Sequence, residues 1–177
     1  MKDEEFLWQI RHFVFSHFAD TTQPPTVADT AMHFNISTEE AGEYYKELHN
    51  RHAFFLESDT MTIRMANPFS GIPTDFRVHA NGKTYYANCA WDMLGIPAAL
   101  HTDAVIEAKF TESGETVQLE VKNGQITVNN VTLSRDSGEG FLLLKSETLR
   151  PFGAQSDMLL VHFPLPFSRW YDDLVFT

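Results

Sequence analysis

From Asp3 to Phe18 the apolar residues Phe6, Leu7, Ile10, Phe13, Val14 and Phe18 recur at helical spacing, which predicts an amphipathic helix. Gln23-Pro24-Pro25 breaks it. Thr26 then offers an N-cap for a short helix through Phe34, with Asp29 in the capping position three residues on. Ser37 and Glu40 repeat the Ser-x-x-Glu signal and open a third helix, with Ala41, Tyr44, Tyr45 and Leu48 on one face. After His52 the period changes to two. Phe54 and Leu56, a turn at Ser58-Asp59-Thr60, then Met61, Ile63 and Met65 predict a hairpin. Three helices followed by a hairpin is the layout of a winged helix, expected over residues 1–66.

Asn67-Pro68-Phe69-Ser70-Gly71-Ile72-Pro73 is rich in turn formers and reads as a linker, with Phe69 and Ile72 apolar enough to pack on a second domain at 67–177. There, Phe76–Val78 and Lys83–Tyr86 flank Asn81-Gly82, a strong two-residue hairpin signal. A short helix is expected from about Cys89 to Leu94. Strands are expected at Val105–Phe110, Val117–Val121, Gln125–Val128, Phe141–Leu144 and Leu159–Phe163, with a second hairpin turn at Asn123-Gly124. The fold class is therefore α+β: a three-helix, winged-helix-like N-terminal domain, then a sheet-rich domain with one short helix.

Charge removes the usual role of a winged helix. Thirteen Lys and Arg stand against 24 Asp and Glu, a net charge of −11. The third helix, which would read DNA, carries Glu39, Glu40, Glu43 and Glu47 against Lys46 and Arg51. Such a surface is repelled by phosphates, so neither nucleic acid nor an anionic membrane surface is an expected partner. No apolar run approaches the roughly 20 residues of a membrane span, and Met1-Lys2-Asp3-Glu4-Glu5 has the wrong charge for a signal peptide. A single cysteine, Cys89, excludes an internal disulfide and a zinc site of several thiolates. These features lead us to expect a soluble, cytoplasmic protein.

Chemistry concentrates in Tyr85-Tyr86-Ala87-Asn88-Cys89-Ala90-Trp91-Asp92. A strand ends, Asn88 can serve as N-cap, and Cys89 falls in the first helical turn, where free N–H groups and the helix dipole favour a thiolate. Asp92, three residues later, shares a face with the sulfur, and the pair favours one shared proton. Local spacing alone also fits a small buried cysteine and an acidic complement to the helix N-terminus. Elsewhere, His49 and His52 can meet on one helix face, although a solvated edge explains them as well. His162, alternating with Val161 and Phe163, faces either a pocket, where it could relay protons to Asp92, or a structural partner. No glycine-rich phosphate loop and no hydrolase triad is apparent.

The run Tyr85 to Ala98, with Cys89-Ala90-Trp91-Asp92-Met93-Leu94 at its centre and Pro97-Ala98 behind it, resembles the active-site segment of the alkylmercury (organomercurial) lyases. Weaker likeness extends to the helical N-terminal domain, to the strand pair Val105–Val121 and to Val161-His162-Phe163. The resemblance implies a winged-helix-like domain without DNA binding, followed by an α+β catalytic domain. It implies protonolysis of a carbon–mercury bond, with Cys89 as a mercury-binding thiolate and Asp92 as proton carrier. Trp91 would be packing, while Tyr85 and Tyr86 would line the pocket or fill the sheet. Mercury is substrate and product on this reading, and no cofactor is expected. The family's second catalytic cysteine has no counterpart here; Met158 stands nearest its position and joins Cys89 as a candidate metal ligand. A thioether is soft but carries neither charge nor proton. The alternative is a non-catalytic module that binds a soft metal or a small apolar ligand on the same scaffold.

Overall fold

A computed structural model describes residues 3–109, 116–129, 140–145 and 158–163, with backbone alone beyond residue 126. The chain divides into two compact units between Pro73 and Thr74.

In the first unit, α1 (Glu4–Thr21) starts where the side chain of Asp3 accepts from the N–H of Glu5 at 3.1 Å. Its buried stripe is Leu7, Ile10, Val14, Phe15 and Phe18. Phe6 and Phe13 are only half-buried and meet Phe34 edge-on. Helix α2 (Val27–Phe34) carries the full capping box of Thr26 and Asp29. Helix α3 (Thr38–Asn50) is capped by Ser37, whose hydroxyl accepts from the N–H of Glu40 at 3.0 Å, and it buries Ala41, Tyr44, Tyr45 and Leu48. Tyr45 is tied to the start of α2: its hydroxyl lies 2.8 Å from the Thr30 hydroxyl and donates to the Pro25 carbonyl at 3.2 Å.

Strands β1 (Phe55–Leu56), β2 (Ile63–Ala66) and β3 (Phe69–Ser70) form an antiparallel sheet in that order. The segment read as a linker is therefore structural. Phe69 is buried and stacks on Phe18 at 5.4 Å, a contact within the first unit. At Gly71 a Cβ would collide with the Ile63 carbonyl, which is why a glycine follows the third strand. Composition marked Asn67 to Pro73 as turn-forming; the aromatic ring at Phe69 is what anchors it.

The second unit contains β4 (Phe76–Ala80), β5 (Lys83–Tyr86), α4 (Ala90–Ala99), β6 (Ala104–Lys109), β7 (Thr116–Lys122) and β8 (Gln125–Asn129). Its five strands form an antiparallel sheet ordered β5-β4-β6-β7-β8. The β4–β5 and β7–β8 connections are two-residue turns with positive φ at both positions: 52° and 72° at Asn81-Gly82, 51° and 69° at Asn123-Gly124. That is the type I′ turn these dipeptides favour. Alternation places Val78, Tyr85, Ile106, Ala108, Val117, Leu119 and Val121 in the core. A separate antiparallel pair joins β9 (Gly140–Lys145) to β10 (Met158–Phe163).

Helix α4 packs against β4 and β6 and lies beside β10. It runs five residues beyond the expected end at Leu94, through Gly95 and Pro97. Every residue from Asp92 to Ala99 is buried. Burial on that scale outweighs the hydrogen bond Pro97 cannot donate and the weak helix propensity of Gly95. No helix among the described residues is long and apolar enough to cross a membrane.

Candidate functional site

The β5–α4 junction is held from both sides. The Thr74 hydroxyl donates to the Ala87 carbonyl at 2.6 Å, and the Ala87 N–H bonds the Phe76 carbonyl at 3.0 Å. The chain then passes through Cys89 in extended conformation, φ −156° and ψ 177°, before turning into α4. The Met93 N–H donates to the Cys89 carbonyl at 3.1 Å, the first bond of the helix. Cys89 is thus itself the N-cap, a position expected for Asn88. The sulfur stands where a serine or aspartate oxygen usually caps a helix.

Asp92, in the third helical position, turns back toward it. The Cys89 Sγ–H donates to Asp92 Oδ2 at 3.4 Å. Cys89 is exposed, whereas Asp92 retains only 9% of its surface. The side chain of Asn88 also hydrogen-bonds the Asp92 carboxylate. Two donors therefore converge on one poorly solvated carboxyl. Asn88, expected as the cap, instead reaches Asp92 from the position before the N-cap.

Electrostatics reverse one expectation. Partial desolvation pushes the Cys89 thiol above its ordinary range, and the Asp92 charge adds to that rise. The N–H groups of Trp91 and Asp92 pull the other way without forming a cap hydrogen bond, and they are outweighed. The free thiol is therefore held protonated, not activated as the helix start alone suggested. Burial raises the Asp92 carboxyl as well, opposed by its bonds to Cys89 and Asn88. The pair is asymmetric: the carboxylate discourages ionisation of the thiol, while the S–H bond favours ionisation of the carboxyl against its burial.

The remaining candidates sort clearly. Trp91 is 37% exposed, on the turn that carries Cys89 and Asp92. Tyr85 fills the sheet interior, and Tyr86 is half-buried. Met158 opens β10, paired with Lys145. That strand neighbours α4, while the Met158 side chain lies outside the described residues, as does that of His162. His49 accepts from the Leu56 N–H at 3.3 Å, and His49 and His52 both meet Phe55 edge-on, a structural use of the pair. Among the described residues no group of three or more His, Cys, Asp or Glu could hold a metal ion. A cavity of about 560 Å³ lies at the β4–β5 turn, bordered by His79, Lys83, Thr84, Glu120 and Lys122, away from Cys89.

An α+β scaffold with a cysteine and a carboxyl paired at the start of a buried helix is the class of protein these observations define. Residues 69–134, which include both side chains, match the family model of alkylmercury lyase. Among solved structures, the crystal structure of the mercury-bound form of MerB2 is similar, with a TM-score of 0.60 and 22% identity over 97% of this chain and 80% of that one. No curated protein matches. The chain resembles the alkylmercury lyases in the sequence of its central segment and in fold.

Proposed function

We propose that the chain binds organomercurials through Cys89 and cleaves their carbon–mercury bond by protonolysis with Asp92 as proton carrier. The observation that carries this reading is the 3.4 Å contact from the Cys89 thiol to the Asp92 carboxyl, inside the segment that matches the alkylmercury lyase model. Mercury is soft and prefers thiolate sulfur. When R–Hg⁺ bonds the sulfur, the thiol proton has an acceptor already in contact, and Asp92 takes it. In the second step the Asp92 O–H bond and the C–Hg bond break and a C–H bond forms. The C–Hg electron pair goes into the new bond, Hg(II) stays on sulfur, and the carboxylate is restored.

Cys89 is the chain's one cysteine, so a second anionic sulfur must come from a free thiol in solution. Cytoplasm supplies such thiols, and we place the protein there. We read the N-terminal unit as a winged-helix-like module that does not bind DNA, and its acidic third helix supports this. Incubation with an organomercurial and excess thiol, with Hg(II) release measured, tests the proposal. Release must exceed that of Cys89→Ala; equal release ends the enzymatic claim. Met158, the residue nearest the position of the second family cysteine, favours a second reading, a soft-metal-binding module without turnover. That reading predicts stoichiometric capture by Cys89, no product, and binding undisturbed in Asp92→Asn.

A further inference from the structure

The sulfur and the carboxyl are separated by one helical turn, and a carboxyl at the third helical position has other places to go. It can reach back to the N–H of the N-cap residue, as in a capping box, or swing toward water. In this chain it does neither to the exclusion of the thiol, and a third group holds it. Asn88 lies immediately before the N-cap, four residues ahead of Asp92, and its amide bonds the carboxylate. Cys89 occupies the N-cap, and the Asn88 side chain serves Asp92.

We propose that Asn88 is a positioning residue, whose side-chain amide fixes the Asp92 carboxyl with Oδ2 toward the Cys89 sulfur so that the proton is held where the organic group leaves mercury. The inference rests on the reading of Cys89 and Asp92 as a protonolysis pair. A carboxyl offers about four acceptor sites when ionised and keeps acceptor capacity when protonated. The amide can therefore hold the group in one orientation before and after it takes the thiol proton. Without that donor the protonated carboxyl is free to rotate, and its O–H points at mercury's carbon in only part of the population.

The test compares wild type, Asn88→Ala and Asn88→Ser, with phenylmercuric acetate as probe and excess thiol present. Capture of phenylmercury by Cys89 should stay one per chain in all three, because the sulfur is untouched. Benzene release should fall in Asn88→Ala through kcat, by about tenfold to a hundredfold, the scale of a small misplacement of a reacting group. KM should stay unchanged. Asn88→Ser keeps a donor and should recover part of the rate, which a purely structural role would not require. A fall in KM-controlled binding with kcat intact overturns the proposal. Crystal structures of wild type and Asn88→Ala give an arm independent of turnover: the Sγ–Oδ2 separation should open from 3.4 Å to beyond hydrogen-bond reach. An unchanged separation overturns the positioning role. Wild type that captures phenylmercury yet releases no benzene overturns the protonolysis reading, and proton delivery through Asn88 falls with it.

Discussion

Replacing Asp92 by asparagine keeps the size and shape of the side chain and removes its charge and its proton. Three consequences can be worked from the site. Loss of a proton carrier that touches the reacting group typically lowers the rate by 10²–10⁴. At about 1.36 kcal/mol per decade this is roughly 3–5 kcal/mol of transition-state stabilisation. The second consequence concerns the sulfur. Asp92 raises the Cys89 thiol both by its charge and by accepting the S–H, while the N–H groups that favour the thiolate belong to the backbone and remain. In Asp92→Asn the thiol should therefore ionise at lower pH and be alkylated faster by iodoacetamide at any pH below its own pKa. The third is stability. The folded-state pKa of Asp92 is raised, so its favourable contribution is complete below the ordinary carboxyl value of 3.8 and is lost as pH rises through the folded value. Burial of the charged form is a cost as pH rises, so the variant should be more stable than wild type at neutral pH, a difference that closes toward pH 4. Hg(II) release, alkylation rate against pH, and Tm at two pH values measure the three effects. Release at the wild-type rate, or alkylation slower than wild type, refutes the proposed roles.

The other predictions concern the scaffold. Tyr45→Phe removes the hydroxyl shared with Thr30 and the Pro25 carbonyl, and should cost about 1–3 kcal/mol in urea unfolding. Burial raises the Tyr45 phenol from 10.0 to about 12, so wild type should lose stability between those pH values and the variant should lack that loss. Gly71→Ala drives a Cβ into the Ile63 carbonyl and should destabilise the first unit by about 1–3 kcal/mol, read as a lower Tm. Thr26→Ala deletes the cap of α2 and should cost about 1 kcal/mol. It should also let the Asp29 carboxyl, held low first by the Thr26 hydroxyl, titrate at higher pH by NMR.

Elements fixed by local chemistry were legible in the chain. The caps at Thr26 and Ser37 and the Asn-Gly turns at 81 and 123 lie where residue type predicts them, because each depends on hydrogen bonds or dihedral angles within four residues. Elements decided by burial were not. Phe69 looked like part of a linker until its ring was set on Phe18, and α4 looked short until its whole length proved enclosed. The site divides in the same way. Sequence pointed to Cys89 and Asp92 on one face, and they stand 3.4 Å apart. It could not weigh desolvation against the helix start, so the direction of the thiol's shift was misjudged. One residue of offset in the cap moved Asn88 from capping to holding Asp92.

That offset changes what kind of nucleophile the site contains. A cysteine within the first turn, facing several N–H groups and no carboxyl, would be a standing thiolate open to any electrophile or oxidant. Cys89 instead keeps its proton, because partial burial disfavours the thiolate and the Asp92 carboxylate, which accepts the S–H, sets its charge against it. On the proposed reading, selectivity follows from this restraint. A weak electrophile meets a thiol, while a soft metal cation binds sulfur strongly enough to displace the proton. The displaced proton moves to Asp92, where burial favours the neutral acid. Capture of the metal would thus load the donor needed for the next step, and the same desolvation that makes the free thiol unreactive would make the loaded acid available.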